Sequence, residues 1–333
     1  MIVVTGGAGF IGSNLVRALN AQGRDDLLVV DDLRNSQKFA NLRHCRTGGY
    51  LDKSEFRVLV RRGDPALAGI EAVLHQGACA DTMERDEEFL LDNNHRYSVD
   101  LLEWCTARRV PFIYASSAAV YGAGTRFTED PASEHPVNAY GRSKLAFDQH
   151  VRAVRAGFTA SVIGLRYFNV YGPGESHKQK MASIVYHLDR QARGDGTLRL
   201  FRGSGGFGDG GQQRDFVHVD DVVGVNLWCL RRGSASGIYN VGTGTARSFN
   251  DVAAEVIRWH GSGRIEYIDF PPGLEAGYQS YTRSDPAALR GAGYTAGFAG
   301  LEDGIRRYLS VLNAAGPVAG TAAGVSAPGR VSA

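Results

Sequence analysis

The sequence predicts an α/β protein built on a doubly wound parallel sheet. Short apolar runs rich in β-branched residues alternate with segments whose apolar residues recur at spacings of three and four, the pattern of strands alternating with helices. The first run, residues 2–4, breaks at two glycines and is followed by a helical pattern. Later runs at 27–30, 72–75 and 112–115 each end in small or polar residues. Such residues suit the carboxyl ends of parallel strands, where ligands bind.

The first strand, turn and helix carry a dinucleotide-binding fingerprint. Gly7, Gly9 and Gly12 have the required spacing, and Gly6, Gly9 and Gly12 also form an every-third-residue set. These glycines would permit the tight turn, the approach of a pyrophosphate to bare backbone, and close packing of helix on strand. The helix N-terminus would supply free N–H groups for the anion. With Asp31 about twenty residues further on, the pattern indicates a Rossmann domain holding a nucleotide cofactor.

The second strand ends in charged residues that leave the cofactor type open. Asp31 and Asp32 favour NAD, because a carboxylate here accepts hydrogen bonds from the adenosine ribose. Arg34, Lys38 and Lys53 follow, and these cations could hold the 2′-phosphate of NADP instead. Any one of the three could equally be a surface charge.

A tyrosine and a lysine on one helical face suggest acid/base chemistry. Tyr140 and Lys144 are four residues apart, and Ser116 and Ser117 end the strand before them. We expect the positive charge of the lysine to lower the pKa of the phenol and make Tyr140 a general base. The plain alternative is that the two side chains only pack together. The glycine fingerprint and the serine pair favour the catalytic interpretation.

Composition excludes several classes of protein. The formal net charge of +2 gives no basic field for nucleic acid or membrane surfaces, and no apolar run is long enough to span a bilayer. The chain enters its first strand at once, so we expect no signal peptide and a cytoplasmic location. The four scattered cysteines are expected to be free thiols, and the histidines lack metal-ligand spacing, so no metal is predicted.

The second half is less regular than the first. We predict a Rossmann domain over residues 1–170, with some later segments returning to it, and a smaller C-terminal α/β substrate lobe over 171–313. The stretch 203–211 holds six glycines and interrupts the alternation. Residues 314–333, rich in Ala, Gly, Ser and Pro without periodicity, are predicted to be a disordered tail.

Four motifs in register resemble the extended short-chain dehydrogenase/reductases that act on nucleotide sugars. They are Gly6–Gly12, Ser116-Ser117, Tyr140 with Lys144, and the run Arg166-Tyr-Phe-Asn-Val-Tyr-Gly-Pro173. The resemblance covers residues 1–313. Within this family the chain resembles the ADP-heptose 6-epimerases. The narrower signals are Phe39-x-Asn41-Leu42, His177-Lys178-x-x-Met181-Ala-Ser183, Phe201-x-Gly203-Ser204 and Arg214-Asp-Phe-Val217.

The resemblance implies roles for individual positions, including an NADP site in which Lys38 and Lys53 hold the 2′-phosphate. Cofactor contacts are implied for Gly6, Gly9, Phe10, Ile11, Gly12, Asp31, Asp32, Lys38, Lys53, Gln76, Gly77, Ala78, Cys79, Ala80, Asn93, Tyr140, Lys144, Val170 and Lys178. Contacts to the ADP-sugar are implied for Ser117, Asn169, Lys180, His187, Phe201, Arg202, Gly203, Ser204, Arg214 and Tyr278.

The implied reaction inverts C6 of the heptose in ADP-D-glycero-β-D-manno-heptose, a precursor of lipopolysaccharide heptose. The hydrogen on C6 is not acidic, so it would leave as hydride to the cofactor and return to the opposite face. Ser117 would hydrogen-bond the reacting oxygen, with Tyr140 and Lys178 as the two acid/base groups and Lys144 beside them. The resemblance also implies a ring-like homo-oligomer, a pentamer in this group.

Three departures and three alternatives bear on this interpretation. Lys180 replaces the usual small hydroxyl residue, Arg202 replaces an acidic residue, and the glycine-rich stretch 205–213 is longer than usual. A nucleotide-sugar 4-epimerase is the nearest alternative. A dehydratase is disfavoured because Ala118 and Ala119 follow Ser117 where an acidic pair would stand. A non-catalytic cofactor sensor is disfavoured because the tyrosine and lysine are both present.

Overall fold

We describe the protein from a computed structural model covering residues 1–34, 36–232, 236–275 and 278–314. The predicted tail, apart from Ala314, which ends a helix, lies outside the described residues. Among the helices of this part of the chain, none is long and apolar enough to cross a membrane.

A seven-stranded parallel sheet forms the centre of the molecule. The strands of the described chain are β1 Ile2–Thr5, β2 Leu27–Asp31, β3 Gly49–Asp52, β4 Ala72–His75, β5 Phe112–Ser117, β6 Val162–Tyr167, β7 Asn169–Tyr171, β8 Thr197–Phe201, β9 Gln213–Arg214, β10 Phe216–His218, β11 Gly237–Val241, β12 Arg247–Ser248 and β13 Arg264–Ile268. The sheet order is β3-β2-β1-β4-β5-β6-β11, with every neighbouring pair parallel. Strands β1, β4 and β6 are buried along their whole length, as a sheet covered on both faces requires. The predicted fold class is confirmed.

Helices cover both faces of this sheet. The α-helices are α1 Phe10–Ala21, α2 Ser36–Phe39, α3 Lys53–Arg62, α4 Glu87–Leu90, α5 Tyr97–Arg108, α6 Ala139–Val154, α7 Ile184–Gly194, α8 Val219–Arg232, α9 Phe249–His260, α10 Ala287–Gly291 and α11 Leu301–Ala314. A π-helical segment, Leu91–Arg96, joins α4 to α5. Leu15 of α1 and Val225 of α8 bury one face of the sheet, and Phe56 of α3, Leu101 of α5 and Phe147 of α6 bury the other.

The remaining elements form a smaller layer beyond the carboxyl ends of the sheet strands. Strand β13 pairs with β8 and β10 with β7, both in parallel, while β12 pairs with β9 antiparallel. Helices α7, α9 and α11 pack around them through a separate apolar core that includes Val185, Val252 and Leu309. Between β10 and β12 the chain returns to the large sheet through β11, so the two layers are connected more than once.

Candidate active site

The turn between β1 and α1 requires glycine at two positions for steric reasons. Gly6 has φ +61°, and a Cβ there would lie 2.7 Å from the backbone nitrogen of Gly77. A Cβ on Gly12 would lie 2.1 Å from the Gly6 carbonyl oxygen. The N-cap of α1 is Gly9, so no side chain occupies the helix N-terminus. This turn, residues 6–12, hereafter the glycine turn, therefore presents bare backbone, as an anion site at a helix N-terminus needs.

The glycine turn lines one end of a cleft with a volume of about 400 Å³, and charged side chains line the other end. The buried carboxylate of Asp31 accepts hydrogen bonds from the Ala8 N–H (3.0 Å) and the Lys38 ammonium (2.6 Å). Lys53 donates to the side-chain oxygen of Asn93 at 2.8 Å. Arg34 pairs with Asp32 and holds the pKa of that carboxyl below its usual value. Acceptors and cations thus share one corner, which suits a ribose and a phosphate.

The segment after β4, residues 76–80, forms the floor of the cleft. Gln76 accepts a hydrogen bond from the Tyr167 hydroxyl at 3.0 Å. Asn94 accepts from the Cys79 N–H at 2.8 Å and donates to the Cys79 carbonyl oxygen at 3.0 Å and to Ser143 at 3.0 Å. Asn94 therefore fixes this floor to helix α6. Sequence reasoning assigned a role to Asn93 alone and missed Asn94, although the Asn-Asn pair at the start of a helical pattern was visible.

A second cavity of about 360 Å³ adjoins the cleft and holds Ser117, Tyr140, Lys144, Asn169 and Val170. Lys144 is buried, donates to the Ala115 carbonyl oxygen at 3.0 Å, and has its pKa lowered to about 8 by that burial. Burial raises the pKa of Tyr140, against a smaller lowering by a hydrogen bond with Ser117. The direction is opposite to the one that we expected from Lys144, because the loss of water around the phenol outweighs other influences.

A buried ion cluster lies directly behind this cavity. The Arg166 guanidinium, fully buried, pairs with Asp148 (2.8 Å) and with Glu134, and donates to the Tyr121 hydroxyl at 3.0 Å. Asp148 lies one helical turn after Lys144 and accepts from the Ser116 hydroxyl at 2.9 Å. The cluster therefore connects β5, β6 and α6 immediately beneath Ser117.

Lys178 reaches the same two cavities from the opposite side. It lies in the Lys178 loop, residues 172–183, and its ammonium is 5.5 Å from the centre of the Phe10 ring. Burial lowers its pKa, against a smaller raising by Glu175. The neighbouring residue, Gln179, has φ 48° and ψ −120°, a strained conformation for a residue with a side chain that costs about 1–3 kcal/mol. The fully buried Glu175 carboxylate accepts hydrogen bonds from Gly172 and Ser183 at the two ends of the loop.

A third cavity, of about 570 Å³, opens beside the second and is lined by Asn169, Arg214 and Tyr278. Arg214 is buried, and its guanidinium lies 4.9 Å from the Tyr278 ring centre and 5.6 Å from that of Phe249. Burial lowers the pKa of Arg214. No carboxylate of the described residues forms an ion pair with Arg214, although a buried charge normally has one. The geometry suits an anionic ligand.

Comparison with known proteins agrees with this geometry. Residues 2–242 match the model of the NAD dependent epimerase/dehydratase family. The chain belongs to this family. It is 54% identical over 312 residues to the ADP-L-glycero-D-manno-heptose-6-epimerase of Alkalilimnicola ehrlichii, covering 94% of this chain and 97% of that protein. A nicotinamide dinucleotide is therefore the cofactor class of this epimerase-family member.

Two solved structures extend the comparison. The ADP-L-glycero-D-manno-heptose-6-epimerase of Helicobacter pylori superposes with a TM-score of 0.81 at 32% identity, covering 94% of this chain and 96% of that one. The UDP-glucose 4-epimerase of Thermus thermophilus, in complex with NAD, superposes with a TM-score of 0.77 at 28% identity, covering 94% and 99%.

All of the cofactor positions predicted for this family member line the first cleft or the adjoining second cavity. The predicted substrate positions divide. Ser117, Asn169, Arg214 and Tyr278 line the second or third cavity. The others line none of the three cavities described above: they are Lys180, His187, Phe201, Arg202, Gly203 and Ser204.

The separated positions have other partners. Lys180 is exposed and lies 3.8 Å from Asp81, and Arg202 pairs with Asp269 at 3.1 Å. Phe201 stacks on Phe270 and also meets the Tyr278 ring edge-on at 6.1 Å, so Phe201 contacts a residue that lines the third cavity. Of the two arginines predicted to contact the ADP-sugar, Arg202 and Arg214, only Arg214 lines one of the three cavities.

Proposed function

We propose that this chain interconverts ADP-D-glycero-β-D-manno-heptose and ADP-L-glycero-β-D-manno-heptose, inverting C6 through a 6-keto intermediate. The observation that carries the proposal is that two protonatable side chains, Tyr140 and Lys178, line one cavity from different elements of the fold. An epimerase needs this, because the reacting oxygen occupies different places before and after the sugar presents its other face. The 54% identity to a heptose 6-epimerase supports the choice of substrate.

The residues of the first cleft fit a nicotinamide dinucleotide. The glycine turn leaves room for a pyrophosphate at the N-terminus of α1, and Asp31 and the two lysines line the ribose end. Such a cofactor supplies a reversible hydride acceptor, which a carbon without an acidic hydrogen requires. The floor at residues 76–80, fixed by Asn94, would support its middle portion.

The chain's own groups would manage the proton at the C6 oxygen. Ser117, hydrogen-bonded to Tyr140, would orient that oxygen, and Tyr140 would remove or return its proton in one orientation of the sugar. Lys178 would do so in the other, helped by burial, which lowers its pKa toward the working range. The buried ammonium of Lys144 lies on the helical face of Tyr140 and would favour the phenolate during transfer.

Arg214 would hold the diphosphate of the nucleotide sugar. It is buried, faces the third cavity and has no carboxylate partner among the described residues, so an arriving phosphate would supply the missing counter-charge. The rings of Tyr278 and Phe270 beside it offer an apolar surface for the base. Asn169 and Met181, which line both the second and third cavities, would lie alongside the sugar between these two ends.

The direct test is to incubate the purified protein with ADP-D-glycero-β-D-manno-heptose and follow the C6 configuration by NMR. We expect inversion to an equilibrium mixture without added cofactor, because the hydride returns to the sugar. No inversion at C6, together with C4 inversion of UDP-glucose under the same conditions, would replace the proposal with the 4-epimerase alternative. No reaction with either sugar by a cofactor-loaded protein would favour a sensor.

For the cofactor, we propose NADP rather than NAD. Lys53 lines the cleft and donates to Asn93. Within the part of the chain that the structure describes it forms no ion pair with a carboxylate, so its charge is available to a 2′-phosphate. Lys38, which forms an ion pair with Asp31, lines the same cleft. Mass spectrometry of the nucleotide released on denaturation should find NADP. Lys53→Ala should weaken NADP binding about tenfold and NAD binding less than about threefold; equal losses would contradict the assignment.

We also propose, from the family resemblance, a cytoplasmic homo-oligomer of ring form, the pentamer being the expected size. Light scattering of the purified protein gives the mass directly, and a monomer would contradict the proposal.

A further inference from the structure

Asn41 connects the cofactor side of the site to the Lys178 loop. It lies in a short 3-10 turn, Ala40–Leu42, after α2. Its side-chain nitrogen donates to the Ala8 carbonyl oxygen in the glycine turn at 3.1 Å and to the Gly174 carbonyl oxygen in the Lys178 loop at 3.0 Å. The same nitrogen lies 3.3 Å from Nδ1 of His177. An amide has two N–H groups, and the two carbonyls at the shorter distances can use both.

A second amide makes a similar connection from α1. Asn14 donates to the Phe10 carbonyl oxygen at 2.9 Å and to the Pro173 carbonyl oxygen at 2.8 Å. Arg17 donates to the side-chain oxygen of Asn14 at 2.7 Å, which leaves the nitrogen facing the two carbonyls. Two consecutive residues of the Lys178 loop, Pro173 and Gly174, are therefore held by side chains of the cofactor-binding layer.

The loop needs such anchors because its backbone is strained next to Lys178. Gln179 has a positive φ, a conformation that a residue with a side chain keeps only when its surroundings hold it. Glu175 ties Gly172 to Ser183 but connects the loop mainly to itself. The Asn14 and Asn41 amides, in contrast, bind the loop to α1 and the glycine turn, and the Lys178 ammonium lies 5.5 Å from the centre of the Phe10 ring in the same region.

We propose that Asn41 is a positioning residue: by bridging the glycine turn and the Lys178 loop, it holds Lys178 at the sugar cavity as the second acid/base group. The catalytic meaning of this bridge rests on the proposed epimerase function, whereas the placement of Lys178 does not. The Asn41 side chain takes no part in the reaction itself.

The placement is tested by chemical labelling, which needs no activity. Lysines of the whole protein are reductively methylated and the rate at each site is read by mass spectrometry, with the exposed Lys180 as internal reference. In Asn41→Ala we expect the rate at Lys178, relative to Lys180, to rise about tenfold as the loop opens locally. Asn20→Ala is the matched control, because the Asn20 amide also bridges two carbonyls, those of Arg24 and Arg46, but lies away from the site.

An unchanged relative rate at Lys178 in Asn41→Ala, or the same rise in Asn20→Ala, would overturn the proposal. If Asn41→Ala does not fold, Asn14→Ala removes the donor to Pro173 and is expected to give the same selective rise.

The catalytic consequence is tested by the reduction of the bound nicotinamide in a single turnover, started separately from each C6 epimer. This single step is measured because a variant cannot change the overall equilibrium constant. The kcat/KM values of the forward and reverse reactions must therefore change by the same factor, and steady-state turnover could not separate the two epimers. If Asn41 acts through Lys178, the Asn41→Ala variant loses about 10²-fold in the reduction step from one epimer and less than about threefold from the other.

Equal losses from both epimers would mean that Asn41 supports the whole site, and would overturn its positioning role. Failure of the wild-type protein to invert C6 would instead refute the proposed function, while the labelling result would still decide where Asn41 places Lys178.

Discussion

The two sides of the active site are built in different ways. Tyr140 lies on a sixteen-residue helix and Ser117 at the end of a central strand, with the fully buried Arg166 and Asp148 behind them. Lys178 lies in a loop that contains a strained residue and is held to the rest of the molecule by amide-to-carbonyl contacts. We call these the helix side and the loop side of the site.

The difference shows where rigidity comes from in each case. On the helix side, displacement of Tyr140 would disturb the packing of α6 on the sheet and separate buried charges, so position is coupled to the stability of the fold. On the loop side, displacement of Lys178 costs a few hydrogen bonds, each with a small net free energy. Mutations behind the helix side are therefore expected to lower the stability of the whole fold before they displace Tyr140. Mutations around the loop side are expected to displace Lys178 with little change in the stability of the fold.

The largest expected effect is a loss of kcat, and it is the same for the helix side and the loop side. Tyr140→Phe and Lys178→Met should each lower kcat about 10²- to 10⁴-fold, because each removes one of the two proton-transferring groups. Melting temperatures should stay within about 2 °C of the wild type, since neither side chain belongs to the hydrophobic core. Steady-state epimerisation and thermal unfolding measure the two quantities, and Tyr267→Phe, at an exposed tyrosine, is the control. Full activity in both variants would refute the two-group scheme.

The next prediction separates the sides through stability. Arg166→Leu should lower the free energy of unfolding by about 3–5 kcal/mol, because it leaves the fully buried Asp148 carboxylate without its ion-pair partner, while Glu134 keeps Arg152. Urea unfolding followed by circular dichroism provides the measurement.

Arg199→Leu is its matched control, since Arg199 pairs with Asp195 at the surface and should cost less than about 1 kcal/mol. A similar small loss in both variants would show that the cluster behind Ser117 does not couple position to stability.

A smaller effect concerns pH and the sheet behind the helix side. Burial lowers the pKa of His75 from 6.5 to about 3, while Thr5 and Ser98 contact its two ring nitrogens. Between these values the unfolded chain binds a proton that the folded chain does not, so stability is lost as pH falls below 6.5. Each unit of pH in this window costs about 1.4 kcal/mol, or about 2–3 kcal/mol at pH ~4.5.

His75→Gln should remove that part of the acid sensitivity, which is measured as the difference in unfolding free energy between neutral and acidic pH. His44→Gln, at an exposed histidine, should leave the acid sensitivity as it is in the wild type. Parallel pH curves for the wild type and His75→Gln would contradict the assignment of a buried neutral His75.

The smallest effect belongs to the outer surface of the loop side. Lys180→Ala should change the unfolding free energy by less than about 1 kcal/mol, because Lys180 is exposed and lies 3.8 Å from Asp81. We expect its kcat within about threefold of the wild type, in contrast to Lys178→Met two residues earlier. A loss as large as that of Lys178→Met would mean that the ammonium of Lys180 reaches the substrate.

The sequence alone predicts features that depend on neighbouring residues, and not those that depend on contacts between distant segments. The fold class and the carboxyl-end position of Asp31 and Ser117 follow from hydrophobic periodicity and strand ends, which are local features. The cofactor cleft followed from the glycine spacing in the same way. Periodicity could not predict that β11 completes the sheet, because pairing between β6 and β11 depends on contacts between residues distant in the chain.

Side-chain contacts between segments were beyond sequence reasoning. Asn41 was visible only as part of a family signal, and its two carbonyl partners lie in other parts of the chain. The direction of the Tyr140 pKa was wrong because burial is a property of the assembled cavity and not of the spacing to Lys144. Arg202 and Arg214 are close in sequence, but only the structure shows that one pairs at the surface with Asp269 while the other is buried.

Strand β11 has a consequence for how the protein is made. Residues of β6 stay at an open sheet edge until residue 241 has left the ribosome, because their partner strand is encoded so much later. An unpaired apolar edge can recruit other chains, so this stage of synthesis is the one most exposed to aggregation and to chaperone binding. A cofactor-binding fragment ending near residue 170 would keep that edge permanently, which makes it a poor choice for separate expression.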